Sequence, residues 1–478
     1  MFERGERVVV RGELLELIGR FTAGLRAAGL GPGRGIALDT AVSPEGFAAQ
    51  IAAHVLGCRV VGLRPGLTPP QLAHILDQDI AAVVTDAPRA ELRTAAGDAR
   101  LLVLGPELLS DHEAPVARGR FDDPAVVTFT SGSTGTPKGT VFDYRAMTAN
   151  WAWQSPSWTE RTAELAAGYQ RFLLFGTLAS AVVQEHLALC LLSGGTAVIP
   201  IGPPEFPRVL QELEITACLL TVPRLHQLLD IARERDLGLS AARMLLVAGS
   251  PLAPGKLAEA HALIGPAVHL GYGQTEVGMI SLLSAADIAA HPEAASSVGR
   301  PWPGMRVEIR DADGRPLPDG QEGEVWVQVP QALTGYWRDP AETADVLRGD
   351  RVRTRDIGRF DEGGFLHLTG RARDVIIVNA IVHYAGPIER ALAAHPAVDQ
   401  SYVIGAPDEG TGEAIHAYVV PAAGAVPDGD SLRALVSAEL GAAASPATIT
   451  AIRDVPLTPA GKPDKQALQA LRTIPGPR

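Results

Sequence analysis

The chain has 478 residues, 46% hydrophobic and 20% charged, enough for two or three domains with large cores, so general disorder and fibrous repeats are excluded. Its net charge of −12 opposes a broad basic face for nucleic-acid or lipid phosphates, and any phosphate site must be local. Cys58, Cys190 and Cys218 lack disulfide or zinc spacing, the first residues carry acids where an export signal needs bases, and no apolar run approaches the roughly 20 residues that span a bilayer, so a cytoplasmic protein without a membrane span is expected.

In chain order, apolar residues at helical spacing (Leu14, Leu15, Leu17, Ile18, Phe21, Leu25) predict a helix over residues 14–28, closed by the turn residues GLGPGRG. The run IALDT then reads as a buried strand. Helices over 46–56 and 70–76 alternate with the strands CRVVGLRP and IAAVVTD, the mark of a parallel α/β layer. The longest apolar stretch, 172–183, is expected to form one core element. Further strands are predicted at 125–130, GTAVIP, ACLLTV and RMLLVAGS, with helices at 187–192 and 206–213. Residues 299–330 read as a β subdomain, with a turn at Pro318-Asp319-Gly320. From Gly370 onward, GRARDVIIV, a helix over 388–394, SYVIGA and AIHAYVVP predict a compact α+β unit. The expected organisation is a large α/β domain with parallel sheets, residues 1–370, and a small mobile α+β domain, residues 371–478.

The 42 basic residues include only the lysines Lys138, Lys256, Lys462 and Lys465, so a lysine marks a place where a compact ammonium is useful. Lys138 closes Thr130-Ser131-Gly132-Ser133-Thr134-Gly135-Thr136-Pro137-Lys138-Gly139, which directly follows an apolar strand. Glycines permit close backbone approach, hydroxyls and amides can surround phosphate oxygens, and Lys138 adds a mobile charge. This is not a Walker A loop, because Pro137 precedes the lysine and Gly139 follows it. Composition alone would also allow a Ser/Gly surface turn.

The ten-residue pattern closely resembles the signature of the adenylate-forming superfamily, which includes acyl- and aryl-CoA ligases, luciferases and the adenylation domains of peptide synthetases. Further matches follow in that family's order and cover nearly the whole chain. Gly249-Ser250-Pro251 ends a buried run and is placed among the ATP-binding residues. In Gly271-Tyr272-Gly273-Gln274-Thr275-Glu276 the resemblance implies that Tyr272 packs on adenine, that Gly273 and Gln274 line the nucleotide, that Thr275 contacts the α-phosphate and that Glu276 helps hold Mg²⁺. Tyr336-Trp337 and Asp339-Pro340 lead to Thr354-Arg355-Asp356, in which Asp356 is the implied ribose acceptor and Arg355 replaces the family's glycine. Arg371 follows as a ribose or phosphate contact, and Arg373 holds the hinge position. Leu457-Thr458-Pro459-Ala460-Gly461-Lys462 looks like the catalytic-lysine segment, with Lys462 bridging the substrate carboxylate and the α-phosphate.

The implied function is ATP-dependent activation of an aryl or fatty carboxylic acid as acyl-AMP, with pyrophosphate release and transfer to a thiol, CoA in the first place. Ala380, Ala385 and Pro387 depart from the thiol-using pattern beside the hinge. Other acceptors therefore stay open: a carrier protein, an amine, or nitrite activated for an aryl amine. A catalytically silent nucleotide-binding protein is the alternative of another class. Ser180-Ala181 stands where amino-acid-activating domains carry Phe-Asp, which disfavours a standard amino acid. Trp151, Trp153, Trp158, Tyr169, Phe172 and Phe175 could line an aryl pocket, though such residues commonly belong to a core.

Overall fold

The computed structural model describes residues 1–130, 137–371, 375–378, 381–408, 411–458 and 461–471. Two mixed sheets dominate the large domain. One has seven strands in the order Gly335–Tyr336, Lys138–Asp143, Pro124–Thr130, Arg59–Gly62, Gly35–Asp39, Ile80–Thr85 and Arg100–Val103. The other has nine strands, with a parallel centre built from Arg171–Leu173, Thr196–Val198, Ala217–Leu220, Met244–Ala248 and Val268–Gln274. The central strands are nearly continuous apolar runs, as parallel strands covered on both faces must be. Helices such as Arg11–Ala27 and Pro44–Val55 bury Phe21, Leu25, Ala49 and Ala52 against them.

The β subdomain is a separate five-stranded sheet formed by Arg306–Arg310, Gly323–Gln328, Leu347–Arg348, Arg351–Phe360 and Leu366–Arg371. Past it, Val375–Val378, Ile381–Tyr384, Val398–Asp408, Gly412–Pro421 and Thr448–Ala451 make the sheet of the small domain. Ile388, Leu392, Val403, Ile415, Val419, Leu432 and Val436 form its own core. Among the described residues no helix is long and apolar enough to cross a membrane.

Three expectations need correction. The stretch 172–183 is not one element: the strand Arg171–Leu173 ends, the chain turns at Gly176 with φ +84°, and a helix starts at Ala181. That helix, Ala181–Leu192, and the later Ala385–Ala393 begin earlier than their apolar cores suggest. The third gap is a pair of helices, Val222–Glu234 and Pro254–Leu263, that lies outside the predicted elements. Each announces itself by a proline in the first turn, the first also by the Thr221 cap that accepts from Arg224 N–H.

Candidate active site

Parallel α/β sheets offer their ligands the carboxyl ends of strands, where loops carry free backbone groups. The predicted motifs gather there. Thr130 ends one strand and pairs across an antiparallel hairpin with Lys138, while Ser131, Gly132, Ser133, Thr134 and Gly135 lie outside the described residues, as does Arg373. Gly249-Ser250-Pro251 follows the strand Met244–Ala248, and Tyr272, Gly273 and Gln274 end the neighbouring strand, with Thr275 and Glu276 in the turn beyond.

Two polar clusters organise this rim. In the first, Asp356, only 3% exposed, accepts from Tyr272 Oη at 2.6 Å, Gln274 Nε2 at 2.6 Å and Arg371 Nε at 2.8 Å. The Tyr272 ring is buried among Val277, Ile280 and Ile309, so its hydroxyl anchors the strand end to Asp356. A buried carboxylate is tolerable because three donors compensate its lost hydration.

In the second cluster, Glu342 binds Lys138 Nζ at 3.0 Å and Arg355 Nη1 at 2.7 Å. Burial works against ionisation of Glu342, and hydrogen bonds from Arg355 and Lys138 together outweigh it, bringing the carboxyl down to about 2. This explains the arginine at the family's glycine position. Arg355 has φ +60°, in the left-handed region that glycine favours, and it pairs with Glu342 and Asp345, which holds it there. Beside it, Tyr336 Oη donates to Glu276 Oε1 at 2.8 Å, and the Gly335–Tyr336 strand pairs with the Lys138 strand.

The small domain contributes Lys462. Its segment closes on itself through Thr458 N–H to Lys462 carbonyl (2.7 Å) and Gly461 N–H to Thr458 carbonyl (2.8 Å), with Gly461 at φ +73°. This turn docks on the large domain: a methyl group added to Gly249 would stand 3.3 Å from Lys462 Cε, and one on Gly461 would stand 3.4 Å from Thr221 Cγ2. Lys462 as a residue is exposed. Surrounding protein nonetheless lowers its pKa, Arg371 and Arg64 lower it further, and Glu276 opposes them. Arg371 and Arg64 thus both lie within electrostatic reach of Lys462, a concentration of positive charge suited to a polyphosphate.

Among the described residues no group of three His, Cys, Asp or Glu side chains could hold a metal. Glu276, in the turn beyond Tyr272, Gly273 and Gln274, fits Mg²⁺ all the same, because that ion uses one or two protein carboxylates and completes its shell with phosphate oxygens and water.

Comparison with known proteins agrees with this geometry. Residues 7–337 match the AMP-binding enzyme family and residues 387–462 match the AMP-binding enzyme C-terminal domain. The chain belongs to the adenylate-forming AMP-binding enzymes. It is 32% identical to a feruloyl-CoA synthase from Amycolatopsis, over 96% of this chain and 93% of that one. It is 29% identical to a medium/long-chain-fatty-acid–CoA ligase from Mycobacterium tuberculosis, over 98% and 86%. Among solved structures, an amide bond synthetase from Marinactinospora thermotolerans superposes with TM-score 0.85 at 35% identity, covering 98% of this chain and 96% of that one. This member of the family is an AMP-forming ligase that uses ATP with Mg²⁺ and a small-molecule acid.

Sequence reasoning overlooked two members of this site. Glu342 carried a signal, an acid in the first turn of a helix capped by Asp339, but one of its cationic partners, Lys138, is remote in sequence and the other, Arg355, lies on a later strand. Arg64 stands just past the carboxyl end of the strand Arg59–Gly62, the usual place for a ligand-facing group. Of the aromatic residues proposed for a pocket, Tyr169 and Phe172 are fully buried core, and Trp151, Trp153 and Trp158 pack partly buried around the same cluster.

Proposed function

We propose that this enzyme activates an aromatic carboxylic acid and passes the acyl group to CoA, with Lys462 as the catalytic residue. The supporting observation is the seat of Lys462 against Gly249, among Arg371, Arg64 and Glu276. The acid's carboxylate oxygen attacks the α-phosphorus of ATP in line, an O–P bond forms, and the bond to the β-phosphate oxygen breaks with departure of pyrophosphate. Lys462 offsets negative charge as it spreads over the pentacoordinate phosphorus, in surroundings that strengthen each charge–charge contact. Lys138, Thr130, Ser131, Gly132, Ser133, Thr134 and Gly135 take the β- and γ-phosphates. Asp356 and Arg371 take the ribose, and Tyr272, Gly273, Gln274, Thr275 and Gly249-Ser250-Pro251 take the base and α-phosphate. Mg²⁺, held by Glu276, would neutralise the phosphate charge that otherwise repels the incoming carboxylate.

In the second step a thiolate attacks the acyl carbon and AMP leaves. Rotation of the small domain about Arg373 would withdraw Lys462 and admit the acceptor. A cytoplasmic setting, with ATP and free CoA, suits this chemistry. An amine acceptor is the second reading, favoured by the likeness to the amide bond synthetase over almost the full chain.

The test is pyrophosphate release over a panel of aryl and fatty acids, each with CoA, an amine or neither, with a nitrite arm and Lys462→Ala as control. Release that needs an aryl acid and is lost in the variant supports the reading. Product mass then names the acceptor; release with nitrite alone, or none with any acid, overturns it.

A further inference from the structure

Lys138 and Lys462 have places in the mechanism above, and Lys256, another of the chain's few lysines, does not. It stands in the first turn of the helix Pro254–Leu263, the end at which the helix dipole disfavours a cation. Acids compensate from two sides. Lys256 Nζ donates to Asp399 Oδ1, on the strand Val398–Asp408 of the small domain, and reaches Glu259 of its own helix at 3.4 Å. Arg233, in the helix Val222–Glu234, adds a second cation 3.6 Å from Asp399 and binds Glu259 and Asp230, each at 2.6 Å. Burial works against ionisation of Asp399, and the hydrogen bond from Lys256, helped by Gln400 and His226, outweighs it and lowers the carboxyl's pKa.

The small domain thus meets the helix Val222–Glu234 at both ends. At its cap, a Cβ on Gly461, the residue before Lys462, would stand 3.4 Å from Thr221 Cγ2, and in its last turn Arg233 faces Asp399. Along the helix these points are roughly 18 Å apart. One contact alone leaves a domain free to swivel about it, whereas two so separated fix its orientation, and a displacement of about 1 Å at a reacting centre can cost on the order of 100-fold in rate. Lys256 is also tied to the other side of the lysine seat, because the strand Met244–Ala248 leads through Gly249 directly into its helix. The contact is built to come apart. Without Asp399, Lys256 keeps Glu259, and Arg233 keeps Glu259 and Asp230, so two cations still face two acids. Asp399 for its part keeps Gln400 Nε2 at 3.3 Å. Undocking leaves no uncompensated charge on the large domain, unlike the rupture of an isolated buried pair.

We propose that Lys256 is a positioning residue for the first half-reaction: with Asp399 it forms a releasable latch that holds the small domain in the orientation that seats Lys462 against Gly249. This role rests on the adenylation reading, which makes Lys462 the catalytic residue. The latch serves adenylate formation alone, because transfer to the acceptor follows once the small domain has turned away.

Wild type, Lys256→Gln, Lys256→Arg and Asp399→Asn test it as full chains. Single-turnover pyrophosphate release, with an acid from the aryl and fatty panel that supports turnover, reads the first half-reaction. Consumption of the chemically prepared acyl-adenylate of that acid, supplied with the acceptor, reads the second. Small-angle scattering with a non-hydrolysable ATP analogue reads the docked fraction. Lys256→Gln and Asp399→Asn should each slow the first half-reaction by about tenfold, the loss of one charged hydrogen bond partly compensated by Glu259, while the second is not slowed and the docked fraction falls. Lys256→Arg, which keeps the charge, should retain more of the first half-reaction than Lys256→Gln. Equal slowing of both half-reactions, as a general loss of structure would give, or an unaltered first half-reaction overturns the proposal. If Lys256→Gln does not fold, Asp399→Asn, altered in the other domain, decides. Failure of wild type to release pyrophosphate with any acid sinks the adenylation reading instead, and scattering still judges the latch, since equal docked fractions in all four proteins overturn it.

Discussion

Lys462 and Gly249, from different domains, meet with so little space that a single methyl group on the glycine would stand 3.3 Å from the lysine's Cε. Gly249 also has φ +94°, a conformation that side chains rarely adopt. Gly249→Ala should therefore slow acyl-adenylate formation while leaving the helical content of the protein in place. Hydroxamate trapping of the adenylate, beside a circular dichroism spectrum, checks both halves of this expectation.

Lys462→Ala removes the charge rather than the space. The loss expected in the first half-reaction is roughly 10²–10³-fold, the cost of deleting one preorganised electrostatic partner of a transition state. ATP binding, which the proposal assigns to the large domain, should weaken far less, and equilibrium binding of a fluorescent ATP analogue reads it directly.

Asp356→Ala should raise the KM for ATP by roughly 10–100-fold, since hydrogen bonds to a charged group contribute about 1.5–3 kcal/mol. Tyr272 and Gln274 lose their common acceptor in that variant. Steady-state kinetics at saturating acid make the measurement. An unaltered KM would show that Asp356 only props the strand end.

Glu342 gives a pH signature. Its folded-state pKa is lowered from 4.5 to about 2, so its pairing with Arg355 and Lys138 stabilises the fold above pH 4.5 and is lost as pH falls through about 2. Glu342→Gln should melt below wild type near neutrality, and the gap should close as the pH is lowered from 4.5 toward 2. A gap that stays constant over that interval would contradict the assignment.

A second contact between the domains joins Lys256 to Asp399, with Arg233 at 3.6 Å from the same carboxylate. Both partners are largely buried, at 15% and 12% side-chain exposure, and Lys256 also reaches Glu259 at 3.4 Å, so it keeps one acid when Asp399 is removed. Asp399→Asn should shift the small domain away from this docked arrangement by roughly tenfold, since a hydrogen bond to a charged group contributes about 1.5–3 kcal/mol and Glu259 retains part of the compensation. Small-angle scattering with a bound adenylate analogue, and faster trypsin cleavage near Arg373, would report the shift.

Much of this was legible in the chain itself. Apolar runs bounded by glycine and proline mark the parallel strands, because a strand covered on both faces has no polar alternation to hide it, and the phosphate-gripping and lysine motifs announce themselves by glycine spacing. The fate of Arg355 was not legible: an arginine where the family has glycine reads only as a departure until Glu342 and Asp345 are seen to hold it at positive φ. Nor could sequence show that Asp356, Tyr272 and Gln274 share one carboxylate, or that Lys256 meets Asp399 across the two domains. Periodicity and motif chemistry act over a few residues and are written locally, whereas the burial of a charge, its compensation and its pKa depend on groups from other elements that only tertiary packing brings within a few ångströms.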